Sequence, residues 1–180
     1  MELTSYQIDE FQQRGFLLLK DRFSPAELKL LTREVEVIVG ERNEQTVMEG
    51  DPVFSMLGRD RRLVDPARCL LDGDIYVYQS KLNIKSPFVG EVWEWHQDYV
   101  FWHNEDKMPA AHASAANISP FARSLILYTY NHVDNAPPQA QLTRPDLLVS
   151  RDSRALAVVP DDALLSEAAN AGFAAQSEAR

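Results

Sequence analysis

A histidine and an aspartate stand two residues apart in the stretch Trp93-Glu94-Trp95-His96-Gln97-Asp98-Tyr99, and no other feature constrains the chain as much. On an extended strand, residues i and i+2 point to the same face, so the imidazole of His96 and the carboxylate of Asp98 share one small target if this stretch is a strand. Such a pair, joined by a second His from elsewhere, forms the facial triad that holds Fe(II) and leaves coordination positions open. The second His stands nearby as His112, in His112-Ala113-Ser114-Ala115-Ala116-Asn117. A His-x-Asp pair alone is a weak signal. Its neighbours strengthen it: Trp93, Trp95, Phe101 and Trp102 offer large apolar faces that would keep an iron centre dry and pack a substrate. The same residues also read as an aromatic core cluster around a satisfied histidine.

Composition narrows the partners. The formal charge of −9 argues against nucleic acid and anionic membranes, both of which need a basic surface. It leaves a small-molecule substrate open. The single Cys69 has no partner for an internal disulfide, so a reducing compartment is expected. The longest early apolar run, Phe16-Leu17-Leu18-Leu19, is too short for a signal or a span. The expected location is cytoplasmic. With 180 residues, one domain over 1–155 is expected, followed by an Ala-rich helix or flexible tail over 156–180.

Local signals place the elements. Residues 5–14 predict a short amphipathic helix capped by Thr4 or Ser5, with Ile8 and Phe11 inward and Gly15 as its stop. Phe16 to Lys20 reads as a buried strand. Ser24-Pro25-Ala26-Glu27 starts a second helix, which Gly40 closes. Residues 41–62 read as a loop, and Asp65-Pro66 opens a helix through Leu71. After the turn Asp72-Gly73-Asp74, a strand runs from Ile75 to Ile84. It places Ile75, Val77, Gln79, Lys81 and Asn83 on one face; that polar row suggests a site lining, or else a solvated edge. Glu91 to Tyr99 is the strand of the His–Asp pair, and residues 104–120 carry no clear strand. Ser124 to Asn131 reads as a buried strand, and Asp161-Asp162-Ala163-Leu164-Leu165 opens a helix.

Ser114 follows His112 by two positions, and Arg123 precedes the apolar run from Leu125. If His112 begins one strand and Arg123 enters the next, the two side chains converge beside the metal. Arg offers a planar two-point fork for a carboxylate, and Ser adds a neutral donor.

The segments Tyr78-Gln79-Ser80-Lys81-Leu82-Asn83, Trp95-His96-Gln97-Asp98-Tyr99, Trp102-His103-Asn104-Glu105-Asp106-Lys107-Met108-Pro109 and His112-x-Ser114…Arg123 resemble the phytanoyl-CoA dioxygenase family, most of all its ectoine-hydroxylase-like branch. The resemblance covers about residues 5–155. It implies a mainly β, α+β fold with N-terminal helices before a double-stranded β-helix, or jelly roll. It also implies Fe(II), 2-oxoglutarate and O2 as cofactor and co-substrates. Carried over, His96, Asp98 and His112 would bind iron, and Arg123 and Ser114 would hold 2-oxoglutarate with help from Asn83 and Lys81. Gln79 and Trp102 would face the substrate. The reaction implied is hydroxylation of a small metabolite, coupled to oxidative decarboxylation of 2-oxoglutarate to succinate.

The chain departs from the family between Asp98 and His112. There the family's ligands come from distant strands, whereas only residues 99–111 separate them here. About four strands of ~5–6 residues are absent, so the expected jelly roll is shortened. Such a barrel leaves sheet edges open, through which a homodimer could form. The alternative function is a catalytically impaired remnant that acts as a non-enzymatic binding protein. A zinc site built from His96, His103, His112 and His132 is a third reading, but the spacing fits no common zinc module. In these readings His103 is either a surface residue or one that supports the metal ligands from behind, and His132 caps the loop after the last long strand.

Overall fold

The computed structural model describes residues 2–41, 51–90, 92–96, 112–136, 150 and 152–165. Helix α1 (Ser5–Arg14) begins with a capping box, in which Thr4 accepts from the Gln7 amide while Gln7 reaches back to Thr4. It ends at Gly15, whose left-handed φ of 76° suits a residue without Cβ. Helix α2 (Pro25–Glu41) starts the same way. The Glu27 carboxylate accepts from the Ser24 amide at 2.7 Å, and the Glu27 amide donates to Ser24 Oγ at 3.3 Å. The helix passes through Gly40, which therefore does not close it. Residues 16–20 form no strand; no described strand pairs with them, and Phe16 and Leu18 are 54% and 69% exposed.

The expected loop over 41–62 is partly helical. Asp51 accepts from the amides of Val53 and Phe54, and Pro52 opens helix α3 (Pro52–Leu57). That single turn and a half buries Val53, Phe54 and Leu57. Helix α4 (Arg61–Leu71) starts four residues earlier than Asp65-Pro66, because Asp60 caps it by accepting from the Arg62 amide at 2.8 Å. Pro66 lies inside the helix and is buried.

Arg62 ties these helices together. Its guanidinium donates to both oxygens of the fully buried Asp60 and, at 2.6 Å, to Glu27. It also donates to the Arg22 carbonyl and lies over the Phe23 ring, 4.3 Å from the centroid. Burial opposes charge on Glu27, but the bonds from Arg62 and Ser24 outweigh it and hold the carboxyl below the usual glutamate range.

Strands β1 (Ile75–Lys85) and β4 (Arg123–His132) pair in one sheet, and β2 (Trp93–His96) pairs with β3 (His112–Ser114) in another. The chain divides into a unit of residues 1–81 and 127–180 and a unit of residues 82–126, with both β1 and β4 contributing to each. In the first unit, Tyr76 and Tyr78 are buried on one face of β1, and Ile75 and Gln79 on the other. The Gln79 end of the polar row is thus enclosed and not a solvated edge. Lys81 and Asn83 are half-buried. The hydroxyls of Tyr128 and Tyr130 on β4 donate to the carbonyls of Phe54 and Gly58, and burial pushes both phenol pKa values far up. β4 is nevertheless less buried than expected, with Leu125 and Leu127 exposed. His132 caps the 3-10 turn Val133–Asn135 by accepting from the Asp134 amide, as expected. The amides of Ser150 and Leu156 donate to Tyr78 and Ile75, so the later chain runs along β1. At Ala163–Leu165 the structure shows a 3-10 turn, with Leu164 buried. No helix of the described residues is long and apolar enough to cross a membrane.

Two outcomes follow for stability. Phe54 is 0% exposed, so Phe54→Ala should lower the urea-unfolding free energy by about 3–5 kcal/mol. The stabilisation from Glu27 is present above the usual glutamate value of about 4.3 and is lost as pH falls through its lowered folded value. Glu27→Gln should therefore flatten the acid limb of a melting-temperature profile below that pH; an unchanged limb would contradict the assigned role.

Candidate active site

The site elements lie in the unit of residues 82–126. β2 and β3 run antiparallel, with Trp93 opposite Ser114 and His96 opposite His112. A regular ladder starting from the Trp93–Ser114 pair would set Trp95 opposite His112. An irregularity between Trp93 and His96 shifts the register by one residue, and a one-residue slip exchanges the faces of a strand. His96 thereby meets His112, with the ring centroids 4.2 Å apart. Trp95 turns outward and is 76% exposed. Of the expected aromatic enclosure, Trp93 stays beside His96, its ring 6.0 Å away, and is itself part exposed. The dry shell expected from Trp93 and Trp95 is therefore not formed by these two residues.

The hydrogen bonding of His96 suits a metal ligand. Its Nδ1 lies 2.7 Å from the Glu94 carbonyl, which can only accept, so Nδ1 carries the proton and Nε2 the lone pair of the neutral ring. A nitrogen donor sits about 2.0–2.1 Å from a metal such as zinc, so two donors on one ion lie within about 4 Å of each other. With ring centroids 4.2 Å apart, His96 and His112 are near enough for one nitrogen of each ring to come within that range. Asp98, Phe101, Trp102 and His103 lie outside the described residues. Among the described residues, no group of three or more metal-ligating side chains is assembled.

Several residues expected to hold a co-substrate also gather here. His112 begins β3 and Arg123 begins β4, as expected, although residues 104–120 had suggested no strand. The Arg123 guanidinium donates to the Ala115 carbonyl at 2.6 Å and reaches Ser114 Oγ at 3.5 Å. Lys85, which the sequence did not single out, is buried; its ammonium donates to the carbonyls of Ser114 and Ala115 at 3.0 and 2.8 Å. The Ala115 carbonyl thus accepts from two cations. Lys85 continues the face of Gln79, Lys81 and Asn83, and extending that alternation by one step would have found it. Asn83 belongs to the same unit as this site, while Gln79 and Lys81 belong to the other.

Residues 38–118 match the model of the phytanoyl-CoA dioxygenase (PhyH) family. The chain is 33% identical over 153 residues to the ectoine dioxygenase of Halomonas elongata, covering 75% of this chain and 44% of the relative. It is 36% identical over 121 residues to the L-proline trans-4-hydroxylase of Streptomyces griseoviridis, covering 59% and 44%. The chain therefore spans about half the length of the curated relatives it matches. The crystal structure of EctD from S. alaskensis with bound Fe superposes with a TM-score of 0.76 at 22% identity, over 88% of each chain. That of EctD with 2-oxoglutarate and 5-hydroxyectoine gives 0.75 over the same shares. The likeness shows that the fold is shared with EctD. By sequence and fold together, this chain belongs to the phytanoyl-CoA dioxygenase family, as an ectoine-hydroxylase-like member.

Proposed function

We propose that this chain is an Fe(II)- and 2-oxoglutarate-dependent dioxygenase that hydroxylates a small metabolite on a shortened jelly roll. One observation carries the reading: His96 and His112 face each other across two strands, and the His96 proton is committed to Glu94. His96, Asp98 and His112 would hold the iron. The chemistry that bound Fe(II) would supply there is O2 activation, with one oxygen atom going to the succinate formed with CO2 from 2-oxoglutarate and the other to the hydroxylated substrate.

The chain's own residues bind and orient. Arg123 presents a planar fork whose Nη2 is steadied by the Ala115 carbonyl, and the Ser114 hydroxyl stands beside it, which suits a carboxylate of 2-oxoglutarate. Lys85 fixes the backbone from which Ser114 projects. In the family pattern Asn83 and Lys81 assist the co-substrate, and Gln79 and Trp102 face the substrate. Ectoine dioxygenase and L-proline hydroxylase among the relatives favour a compact polar metabolite as that substrate.

The exposure of Trp95 and His112 favours a second reading, a protein that binds metal and 2-oxoglutarate without turnover. The two separate cleanly. Anaerobic addition of Fe(II) and 2-oxoglutarate should produce a visible charge-transfer band under both, but only the enzyme releases succinate when O2 is admitted. His96→Ala and His112→Ala should each remove the band and lower succinate formation by more than about 100-fold, beyond the 10–100-fold cost of losing an outer-sphere partner. Succinate formation that persists in both variants would sink the enzymatic reading.

A further inference from the structure

We propose that Asn117 is the positioning residue that sets the 2-oxoglutarate anchor, acting through Arg123 and Ser114; this rests on the function proposed above. Asn117 is only 4% exposed, and every polar atom of its side chain is bonded. Its Nδ2 faces the carbonyls of Lys85 at 3.0 Å, Ser86 at 3.2 Å and Phe121 at 2.7 Å. Its Oδ1 accepts from the Ser119 amide at 3.2 Å and hydroxyl at 2.8 Å. A flipped amide would set its oxygen against three carbonyls, so the network admits one orientation.

These bonds join three segments. One is the end of β1 at Lys85 and Ser86. The second is the turn of residues 117–121, which leads into Arg123. The third is the turn of residues 86–90, where the Asn117 amide donates to Gly90 at 3.3 Å and the Phe88 amide to Ser119 at 3.3 Å. Gly90 approaches so closely that a Cβ there would stand 2.8 Å from Lys85 Cβ and 2.9 Å from Asn117 Cβ. Neither neighbour is the loose end of a side chain, so an added methyl would have to move backbone.

The consequence reaches the anchor from two sides. Asn117 fixes the backbone of Lys85, whose ammonium holds the carbonyls of Ser114 and Ala115. It also fixes the carbonyl of Phe121, two residues before Arg123, whose guanidinium returns to that same Ala115 carbonyl. Anchoring groups need positions held to a fraction of an ångström, and a single buried amide meets that need here. The His96–His112 pair lies beyond the register shift of the β2–β3 ladder, whose main-chain pairing, including that of Asn117 with Gly90, does not depend on the Asn117 side chain. Asn117 should therefore govern co-substrate affinity and leave metal affinity alone.

The test is equilibrium binding under anaerobic conditions, with Co(II) absorption reporting the metal and titration of 2-oxoglutarate into the Co(II)-loaded protein reporting the anchor. Asn117→Ala should weaken 2-oxoglutarate binding by about 10-fold or more, the equivalent of one or two net hydrogen bonds. Co(II) affinity should stay within about 3-fold of wild type, since the ladder that sets the metal register is untouched. In an Arg123→Ala background, Asn117→Ala should cost less than it does alone, because the part transmitted through Arg123 is already lost and only the part through Lys85 and Ser114 remains. Wild-type 2-oxoglutarate affinity in Asn117→Ala, a parallel loss of Co(II), or a full additional loss in the Arg123→Ala background would each overturn the proposal. If Asn117→Ala does not fold, Ser119→Ala decides, since it removes the hydroxyl that links Asn117 Oδ1 to the main chain of Phe121 and keeps the Nδ2 bonds. It should weaken 2-oxoglutarate alone by about 3-fold or more, in line with the loss of these exposed or part-buried bonds, and unchanged affinity would overturn the proposal. A wild-type protein that binds no 2-oxoglutarate would instead refute the iron-dioxygenase reading itself.

Discussion

One extra residue in β2 decides what this molecule can do. Without the register shift between Trp93 and His96, an indole would stand opposite His112 and the imidazole of His96 would face away. With it, two nitrogen donors meet and the tryptophan turns outward. The irregular segment also holds Glu94, whose carbonyl fixes the tautomer of His96. A bulge beside a site is a conserved kind of device for aiming a side chain, and here it aims His96 at His112.

The unit of residues 1–81 and 127–180 is held differently, by buried polar groups satisfied at close range. Arg62 joins Asp60 and Glu27 at a helix start, and two tyrosine hydroxyls bind the carbonyls of Phe54 in α3 and of Gly58 just past its end. Ion pairs of this kind contribute little net stability over an apolar packing, but breaking one leaves an uncompensated charge. Their effect is to fix one arrangement of α2, α4 and the turn before them. The apolar contribution comes from Phe54, Val64, Ile75, Tyr76 and Leu164, all fully or nearly fully buried.

Features whose physics is local were legible in the sequence. The capping boxes at Thr4 and Ser24, the long strand after Asp74 and the cap at His132 depend on residues within a few positions of one another. The short helix α3 was hidden in a polar run without period, although Asp51-Pro52 is a helix start by itself. The run Phe16–Lys20 misled because apolarity does not make a strand unless another strand lies beside it. In the candidate site, His96, His112, Ser114 and Arg123 could be singled out by residue type, and the structure brings His96 to His112 and Arg123 to Ser114. The outward turn of Trp95 could not, since strict alternation gives no sign of a register shift. Lys85 and Asn117 were equally silent: their partners are main-chain carbonyls, which look the same in every residue.

That last property shapes how the anchor responds to change. The atom on which Arg123 and Lys85 converge is the carbonyl oxygen of Ala115, and every amino acid supplies one. Replacing the side chain at 115 leaves the acceptor in place, and an alanine scan passes over the position altogether. The junction is sheltered from point substitution and open instead to insertions and deletions between Ser114 and Arg123, which would carry the oxygen out of reach of both cations. Variation in the length of this short connection, more than in its composition, is what the anchor cannot absorb.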